Sequence, residues 1–202
     1  MKDNNLTCKV VLVGESGVGK TCIIERYTHG SYDPNSESNV TSTYSFKKLN
    51  IEQYNKSISL DIWDTAGQEK YRSLAKNFYL NASIGILVYD ITRRSTFEDI
   101  QNYWYDQLKT CGEENMIFAV AGNKSDLYSE EEVKEEEVKK FAESINALFI
   151  LTSCQEAIGI EDLFNKCAIK YLEQNKIIDV KPKGDKLKLG KKEKNKKEKK
   201  CC

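Results

Sequence analysis

The stretch VVLVGESGVGKT at residues 10–21 decides the fold of this chain. Its first four residues are apolar and predict a buried strand, and a helical pattern follows at residues 22–27. Between them stands G-x-x-x-x-G-K-T, the spacing of a phosphate-binding loop. Glycines let backbone N–H groups turn towards phosphate oxygens, and the helix N-terminus adds positive partial charge. The pattern predicts that Lys20 reaches the β- and γ-phosphates and that the Thr21 hydroxyl binds Mg²⁺.

Length and apolar pattern predict the class of fold. A chain of 202 residues is expected to form one compact domain. Three further apolar runs, at residues 84–89, 117–121 and 148–151, have strand length and predict central strands covered on both faces. Helical patterns lie between these runs. Strand and helix therefore alternate, which predicts an α/β fold with helices on both faces of a mostly parallel sheet.

A predicted hairpin lies between the first helix and these runs. Residues 44–51 and 57–63 read as two strands, with a turn at residues 53–56. In the second strand Ile58, Leu60 and Ile62 alternate with polar residues, so Trp63 belongs to the opposite face. A tryptophan there is either covered by a helix or presented to a partner, and the sequence leaves both open.

Charge is unevenly distributed along the chain, although its formal net charge is zero. Residues 181–200 hold eleven lysines and three acidic residues, a net charge of +8, so residues 1–180 carry −8. Such a lysine-rich segment buries too little apolar surface to fold alone. We therefore predict an N-terminal extension over 1–7, a folded domain over 8–176 and a disordered tail over 177–202. Nucleic-acid binding is the rival explanation of a basic tail, but the folded part shows no element that would read nucleic acid.

Polar motifs follow two of the predicted strands. Asp64 follows the strand that ends at Trp63, and an acid there is placed to hold Mg²⁺. Gly67 is placed to approach the γ-phosphate through its N–H, and Gln68 to orient an attacking water. Asp126, in the run Asn-Lys-Ser-Asp, can accept hydrogen bonds from the N1–H and the exocyclic amine of guanine, which selects guanine over adenine.

A fourth loop, at residues 152–155, follows the last strand and is placed to offer a backbone N–H to the guanine O6. All four loops then stand at the carboxyl ends of their strands, where open α/β sheets bind ligands.

Together these motifs resemble the Ras superfamily of small GTPases, and the Rab branch in particular. The branch-level likeness lies in IWDTAGQE at 62–69, YRSL at 71–74 and LVYDIT at 87–92, and in the two cysteines at 201–202. The resemblance covers about residues 8–174. It implies a small G domain with a six-stranded mixed sheet and five helices, and a GTPase that switches between GTP and GDP in membrane traffic. No intrinsic arginine finger is evident, so hydrolysis is expected to be slow and to be accelerated in trans.

The resemblance also assigns roles to individual residues. Tyr32 is implied to stack on the guanine edge, and Tyr44, Trp63 and Phe78 to form an aromatic triad that effectors recognise. The catalytic residues are Lys20 and Gln68. The implied nucleotide-binding set is Glu15, Ser16, Gly17, Val18, Gly19, Lys20, Thr21, Cys22, Tyr32, Gly67, Asn123, Lys124, Asp126, Ser153, Cys154 and Gln155, and the metal ligands are Thr21, Asp64 and Asn39.

Two positions depart from the family pattern. Asn39 stands where the family carries a threonine that binds Mg²⁺, and Thr41 would need a shift of register to replace it. An amide oxygen can bind a hard cation, but we expect weaker Mg²⁺-dependent closure and a smaller preference for GTP over GDP. Gln155 stands where the family carries a lysine, so we expect somewhat faster nucleotide exchange.

The tail predicts a lipid anchor. Cys201 and Cys202 behind a lysine-rich linker predict dual prenylation, because one lipid chain anchors marginally and two anchor stably. The resemblance implies a monomer on the cytoplasmic face of endomembranes that cycles with the cytosol. Its implied partners are effectors, an exchange factor, a GTPase-activating protein, a prenylation escort and a GDI-type extraction protein.

Two alternative functions remain open from the sequence. The first is a nucleotide-bound scaffold in which Asn39 impairs hydrolysis or switching. The second is an ATP-dependent phosphate-loop enzyme, against which Asp126 argues.

Overall fold

A computed structural model describes residues 6–33, 44–64 and 78–178 of the chain. The strands among these residues form one six-stranded sheet. In chain order its strands are β1 (Leu6–Val13), β2 (Tyr44–Ile51), β3 (Lys56–Asp64), β4 (Ile84–Asp90), β5 (Ile117–Asn123) and β6 (Leu148–Leu151).

Helices connect the strands. They are α1 (Lys20–His29), α2 (Arg94–Asp99), α3 (Tyr105–Cys111), α4 (Glu135–Ser144) and α5 (Ile160–Gln174). A π-helical turn at Ile100–Trp104 joins α2 to α3, and short 3₁₀ turns lie at Glu52–Tyr54 and Ser125–Glu130. Residues 65–77, which follow β3, lie outside the described residues.

The strand order across the sheet is β2-β3-β1-β4-β5-β6. β1 pairs in parallel with β3 and β4, β4 with β5, and β5 with β6, while β2 and β3 are antiparallel. The predicted α/β fold with a six-stranded, mostly parallel sheet is therefore confirmed. The central position predicted for residues 148–151 was wrong, because β6 lies at one edge of the sheet. An apolar run indicates that both faces of a strand are covered, but it does not indicate whether another strand pairs with each of its two edges.

Two apolar clusters lie on opposite faces of the sheet. Alternate residues of β1 divide between them, with Val10 and Leu12 in one cluster and Val11 and Val13 in the other. Helices α1 and α5 cover the first cluster, and α2, α3 and α4 cover the second. Helices on both faces were predicted from the alternation of elements, and the two clusters confirm them.

The hairpin between β2 and β3 turns one residue earlier than predicted. The turn occupies residues 52–55, and Lys56 already belongs to β3. Asn55 takes a left-handed conformation with φ of 49° and its N–H donates to the carbonyl of Glu52. Asparagine tolerates this conformation better than most residues, so it ends the 3₁₀ turn and reverses the chain.

The described folded part extends slightly beyond the predicted domain on both sides. β1 begins at Leu6, and Ile178 is only 7% exposed and belongs to the first apolar cluster. No helix in the described part of the chain has the length and apolarity of a membrane span.

Parallel pairing brings the ends of five strands to one edge of the sheet. β1, β3, β4, β5 and β6 all run in the same direction, so their carboxyl ends lie side by side. The loops that follow these ends carry the predicted polar motifs. This edge is where an open α/β sheet binds its ligands.

Candidate functional site

The loop between β1 and α1 wraps around its own lysine. Lys20 is 5% exposed, and its ammonium donates hydrogen bonds to the carbonyl oxygens of Gly14 at 2.8 Å and Glu15 at 2.9 Å. Gly19 has φ of 94°, and a Cβ there would lie 2.3 Å from Nδ2 of Asn123. Glycine is required at this position because both the conformation and the space exclude a side chain. The loop is therefore closed around a buried ammonium, and phosphate binding by it stays a prediction.

Two oxygen ligands of the predicted metal site meet directly. The hydroxyl of Thr21 donates to Oδ2 of Asp64 at 2.6 Å, joining the start of α1 to the end of β3. Asp64 is fully buried. A hydroxyl and a carboxylate are hard oxygen donors of the kind that Mg²⁺ prefers, so this pair fits the ion.

Several predicted residues lie outside the described part of the chain. They are the metal ligand Asn39, the switch residues Gly67 and Gln68, and the lipidation sites Cys201 and Cys202. Their assignments stay predictions.

Asn123 connects the phosphate loop to the loop after β6. Its Nδ2 donates to the carbonyl of Val18 at 2.8 Å, and its Oδ1 accepts from the hydroxyl of Thr152 at 3.1 Å. The Sγ of Cys154 lies 3.7 Å from the same Oδ1. Burial raises the pKa of the Cys154 thiol to about 12, so it stays protonated and acts as a weak donor. The phosphate side and the base side of the site are thus parts of one hydrogen-bonded unit.

A pocket of about 140 Å³ opens beside this unit. At its wall the hydroxyl of Ser153 donates to Oδ1 of Asp126 at 2.5 Å, which orients the carboxylate. The structure therefore brings together most of the predicted base-binding residues and adds Leu127. The pocket is lined by Gly19, Cys22, Tyr32, Asn123, Lys124, Asp126, Leu127, Cys154 and Gln155.

A buried acid that the sequence analysis missed holds Lys124. Asp90 ends β4, is 1% exposed and accepts hydrogen bonds from Lys124 Nζ at 2.6 Å and the Thr92 hydroxyl at 2.7 Å. Arg93 binds the same carboxylate at 3.1 Å and donates from Nη2 to the carbonyl of Ser16, also at 3.1 Å. An acid at the end of an apolar strand was the available signal, but its partners come from two separate loops, those that follow β4 and β5.

We expect Asp90→Asn to lower the free energy of unfolding by about 2 kcal/mol at neutral pH, because a cationic group loses its buried partner. Burial alone would raise the pKa of Asp90, but hydrogen bonds from Lys124 and Thr92 outweigh it and hold that pKa below its ordinary value of 3.8. The stabilisation is therefore present above about pH 4 and is lost as pH falls through the lowered pKa.

Urea unfolding of both proteins between pH 7 and pH 3 measures this difference. The difference in free energy of unfolding between wild type and Asp90→Asn should become smaller as the solution becomes acidic. Glu98→Gln, which removes a carboxylate from an exposed ion pair with Arg94, is the control and should change stability little. A gap that stays constant with pH would contradict the assignment.

Three predicted aromatic residues lie together on the sheet face opposite α1. The ring centroids of Tyr44 and Trp63 are 5.3 Å apart, and those of Trp63 and Phe78 are 6.1 Å apart. Tyr44 is 55% exposed, and its hydroxyl donates to Oδ1 of Asp61 at 2.9 Å. Trp63 packs against the second apolar cluster, away from the face of Ile62, as its position in the alternation predicts.

The comparisons with known proteins decide the family. The family model described as Ras family matches residues 9–173. The chain belongs to the Ras family. This GTPase is 43% identical to Ras-related protein Rab-22A of Homo sapiens over 156 residues, which cover 77% of this chain and 79% of that relative.

Other Rab proteins match over more of the chain. The GTPase is 36% identical to Ras-related protein RABA1c of Arabidopsis thaliana over 203 residues, 96% of this chain and 93% of that relative. It is 34% identical to Ras-related protein Rab-19 of Rattus norvegicus over 170 residues, 84% and 77% of the two chains. The predicted membership of the Rab branch is confirmed. Membership of this family implies a GTPase that binds GTP and GDP.

Proposed function

We propose that this GTPase is a Rab-type switch that binds GTP and GDP with Mg²⁺, hydrolyses GTP slowly and recruits effectors in the GTP state during membrane traffic. One observation supports the proposal most strongly. The buried lysine of the phosphate loop and the carboxylate of the base pocket lie at the same edge of the sheet, joined through Asn123. A nucleotide with a guanine base and several phosphates has the shape and charge that this edge fits.

The base pocket favours guanine over adenine. Asp126 presents an acceptor-only carboxylate, which pairs with the N1–H and the exocyclic amine of guanine. Adenine lacks this pair of donors and would leave the carboxylate unsatisfied. Cys154 and Gln155 line the same pocket, and a backbone N–H of their loop is proposed to bind the guanine O6.

The phosphate side is arranged for slow hydrolysis. Mg²⁺, when bound by Thr21 and Asp64, would neutralise phosphate charge. Lys20 stabilises the charge on the β- and γ-phosphates, and Gln68 orients the attacking water. With no arginine finger evident in the sequence, a GTPase-activating protein is proposed to supply the acceleration.

The surface and the tail supply the switch with partners and a membrane. Effectors are proposed to bind the triad of Tyr44, Trp63 and Phe78. The lysine-rich tail, prenylated at Cys201 and Cys202, is proposed to anchor the folded domain to the cytoplasmic face of endomembranes, from which a GDI-type protein returns it to the cytosol. An exchange factor and a prenylation escort complete the partners, the protein acts as a monomer, and nucleic acid is not among its ligands.

Single-turnover GTP hydrolysis by the purified protein tests this proposal. We expect hydrolysis over minutes to hours that requires Mg²⁺, with GDP or GTP bound in the purified sample and no measurable hydrolysis of ATP. Equal binding of ATP and GTP would contradict the assignment of Asp126 and with it the proposed switch.

Asn39, which stands where the family carries a threonine, favours a second candidate function, a nucleotide-bound scaffold. Its amide is a poorer Mg²⁺ ligand in that position than a hydroxyl, so closure of the loop around GTP would be weak. The same measurement separates the two functions. Tight GTP binding without hydrolysis over many hours would indicate the scaffold, whereas slow Mg²⁺-dependent hydrolysis would indicate a switch that tolerates Asn39.

A further inference from the structure

We propose that Arg26 is a positioning residue that holds two parts of the base pocket and thereby sets how long the nucleotide stays bound. The inference rests on the function proposed above. Arg26 lies on α1, six residues after the lysine of the phosphate loop, and it is not among the residues that line the pocket. It acts on the nucleotide through residues that do line it.

The guanidinium of Arg26 donates to three carbonyl groups in two distant segments. Nε binds the carbonyl of Cys154 at 2.7 Å, and Nη2 binds that of Gln155 at 3.0 Å. Nη1 binds the carbonyl of Gly30 at 2.8 Å, beyond the end of α1. A rigid fork with several donors can satisfy three acceptors at once, which is the property that separates arginine from lysine.

Arg26 holds the backbone carbonyls of the second half of the guanine loop, residues 152–155. The loop is held at Thr152 through its N–H to the carbonyl of Gly122, and at Ser153 through a backbone bridge to Ile158. Among the described hydrogen bonds, those to the carbonyls of the next two residues come from Arg26. The backbone of Thr152 is therefore held by the sheet, whereas the carbonyls of the two residues after Ser153 are held by a side chain of α1.

The bonded carbonyls determine where the loop's N–H groups point. A peptide unit is planar and trans, so its N–H is directed opposite to its C=O. When Arg26 holds the carbonyl of Cys154, it fixes the orientation of the N–H of Gln155 within a segment that lines the pocket. A guanine O6 that accepts from this loop requires such a fixed orientation.

The same side chain contacts a second residue that lines the pocket. The guanidinium carbon lies 5.7 Å from the ring centroid of Tyr32, which lines the pocket as Gln155 does. A guanidinium at this distance attracts the face of an aromatic ring. Arg26 thus joins Tyr32, the end of α1 and the guanine loop in one arrangement, and its loss should loosen both parts of the pocket together.

The test uses the full chain and two ligands, GDP and 6-thio-GDP. The second keeps the N1–H and the exocyclic amine that Asp126 binds, but carries a weakly accepting sulfur in place of O6. We expect Arg26→Met to release a fluorescent GDP analogue about tenfold faster and to narrow the preference for GDP over 6-thio-GDP several-fold. Arg94→Met, which removes an exposed arginine paired with Glu137, is the matched control and should change neither quantity.

The ratio between ligands distinguishes positioning from general destabilisation. An equal loss of affinity for both ligands, or release within twofold of wild type, would overturn the role of Arg26 while leaving the proposed function intact. Wild-type protein that does not bind GDP would overturn both. Arg26→Lys keeps the charge and the helix, but its donors all lie on one nitrogen and cannot reproduce the spread of the guanidinium fork over three carbonyls. It therefore provides a second, milder variant that we expect to accelerate release as well.

Discussion

Asp126→Asn is expected to change the base preference of this GTPase from guanine to xanthine. The asparagine oxygen still accepts from N1–H, but its amide now faces the exocyclic amine of guanine, donor against donor. We expect GTP affinity to fall about 100-fold or more, because two hydrogen bonds to a charged group are replaced by one neutral bond. Xanthine carries a carbonyl at that position, which accepts from the amide, so XTP affinity should rise.

This substitution is expected to leave the fold intact. Ser153 donates to Oδ1 of Asp126, and an asparagine oxygen accepts the same hydrogen bond. Competition of XTP and GTP for a fluorescent guanine nucleotide measures both affinities in one assay. Asp162→Asn, an exposed acid at the start of α5, is the matched control and should keep the wild-type ratio. Equal losses for XTP and GTP would show that Asp126 only supports the loop.

Lys20→Met is expected to lower GTP affinity about 1,000-fold, because the phosphates lose charge-assisted hydrogen bonds in a partly enclosed site. The carbonyls of Gly14 and Glu15 also lose their donor, so the loop becomes less well fixed. Methionine fills most of the volume of the lysine stem, which should preserve the packing of α1 against the sheet. Titration with a fluorescent GTP analogue measures the loss.

A second lysine provides the control for this experiment. Lys9 on β1 is also partly buried, and its ammonium donates to the carbonyl of Leu80 at 2.9 Å and lies 4.9 Å from the ring of Trp63. Lys9→Met should bind GTP as the wild type does. A loss below tenfold in Lys20→Met, with its fold intact by circular dichroism, would contradict the phosphate-binding role of Lys20.

Local sequence signals predicted much of the fold. Strand and helix patterns depend on the residues within a few positions, so β2 and the apolar strands β4 and β5 were placed almost as observed. The exact turn between β2 and β3 and the edge position of β6 were not predicted. The turn depended on whether Asn55 would take a left-handed conformation, and the edge position depended on which strands pair, which is a property of the whole sheet.

In the candidate site, too, the sequence indicated the residues that belong to local motifs and missed those whose partners lie in distant segments. Glycine spacing and the residue types at Lys20, Thr21 and Asp64 indicated phosphate and Mg²⁺ binding, and the acceptor-only carboxylate of Asp126 indicated the base. Contacts between residues of distant segments were not predicted from the sequence. Asp90 lies in the run LVYDIT, which indicated only the family, and Arg26 lies in none of the motifs. Their contacts depend on a cation and on carbonyls more than thirty residues away along the chain.

The sequence by itself determined the family and predicted the phosphate loop and the guanine-selecting acid, since each of these rests on short runs of residues whose geometry is local. Only the tertiary structure decided how those runs are held together. Asn123 joins the phosphate loop to the guanine loop, Asp90 holds Lys124, and Arg26 ties α1 to Cys154 and Gln155. These contacts exist because parallel strands bring their carboxyl ends to one edge, where side chains far apart in sequence come within hydrogen-bonding distance.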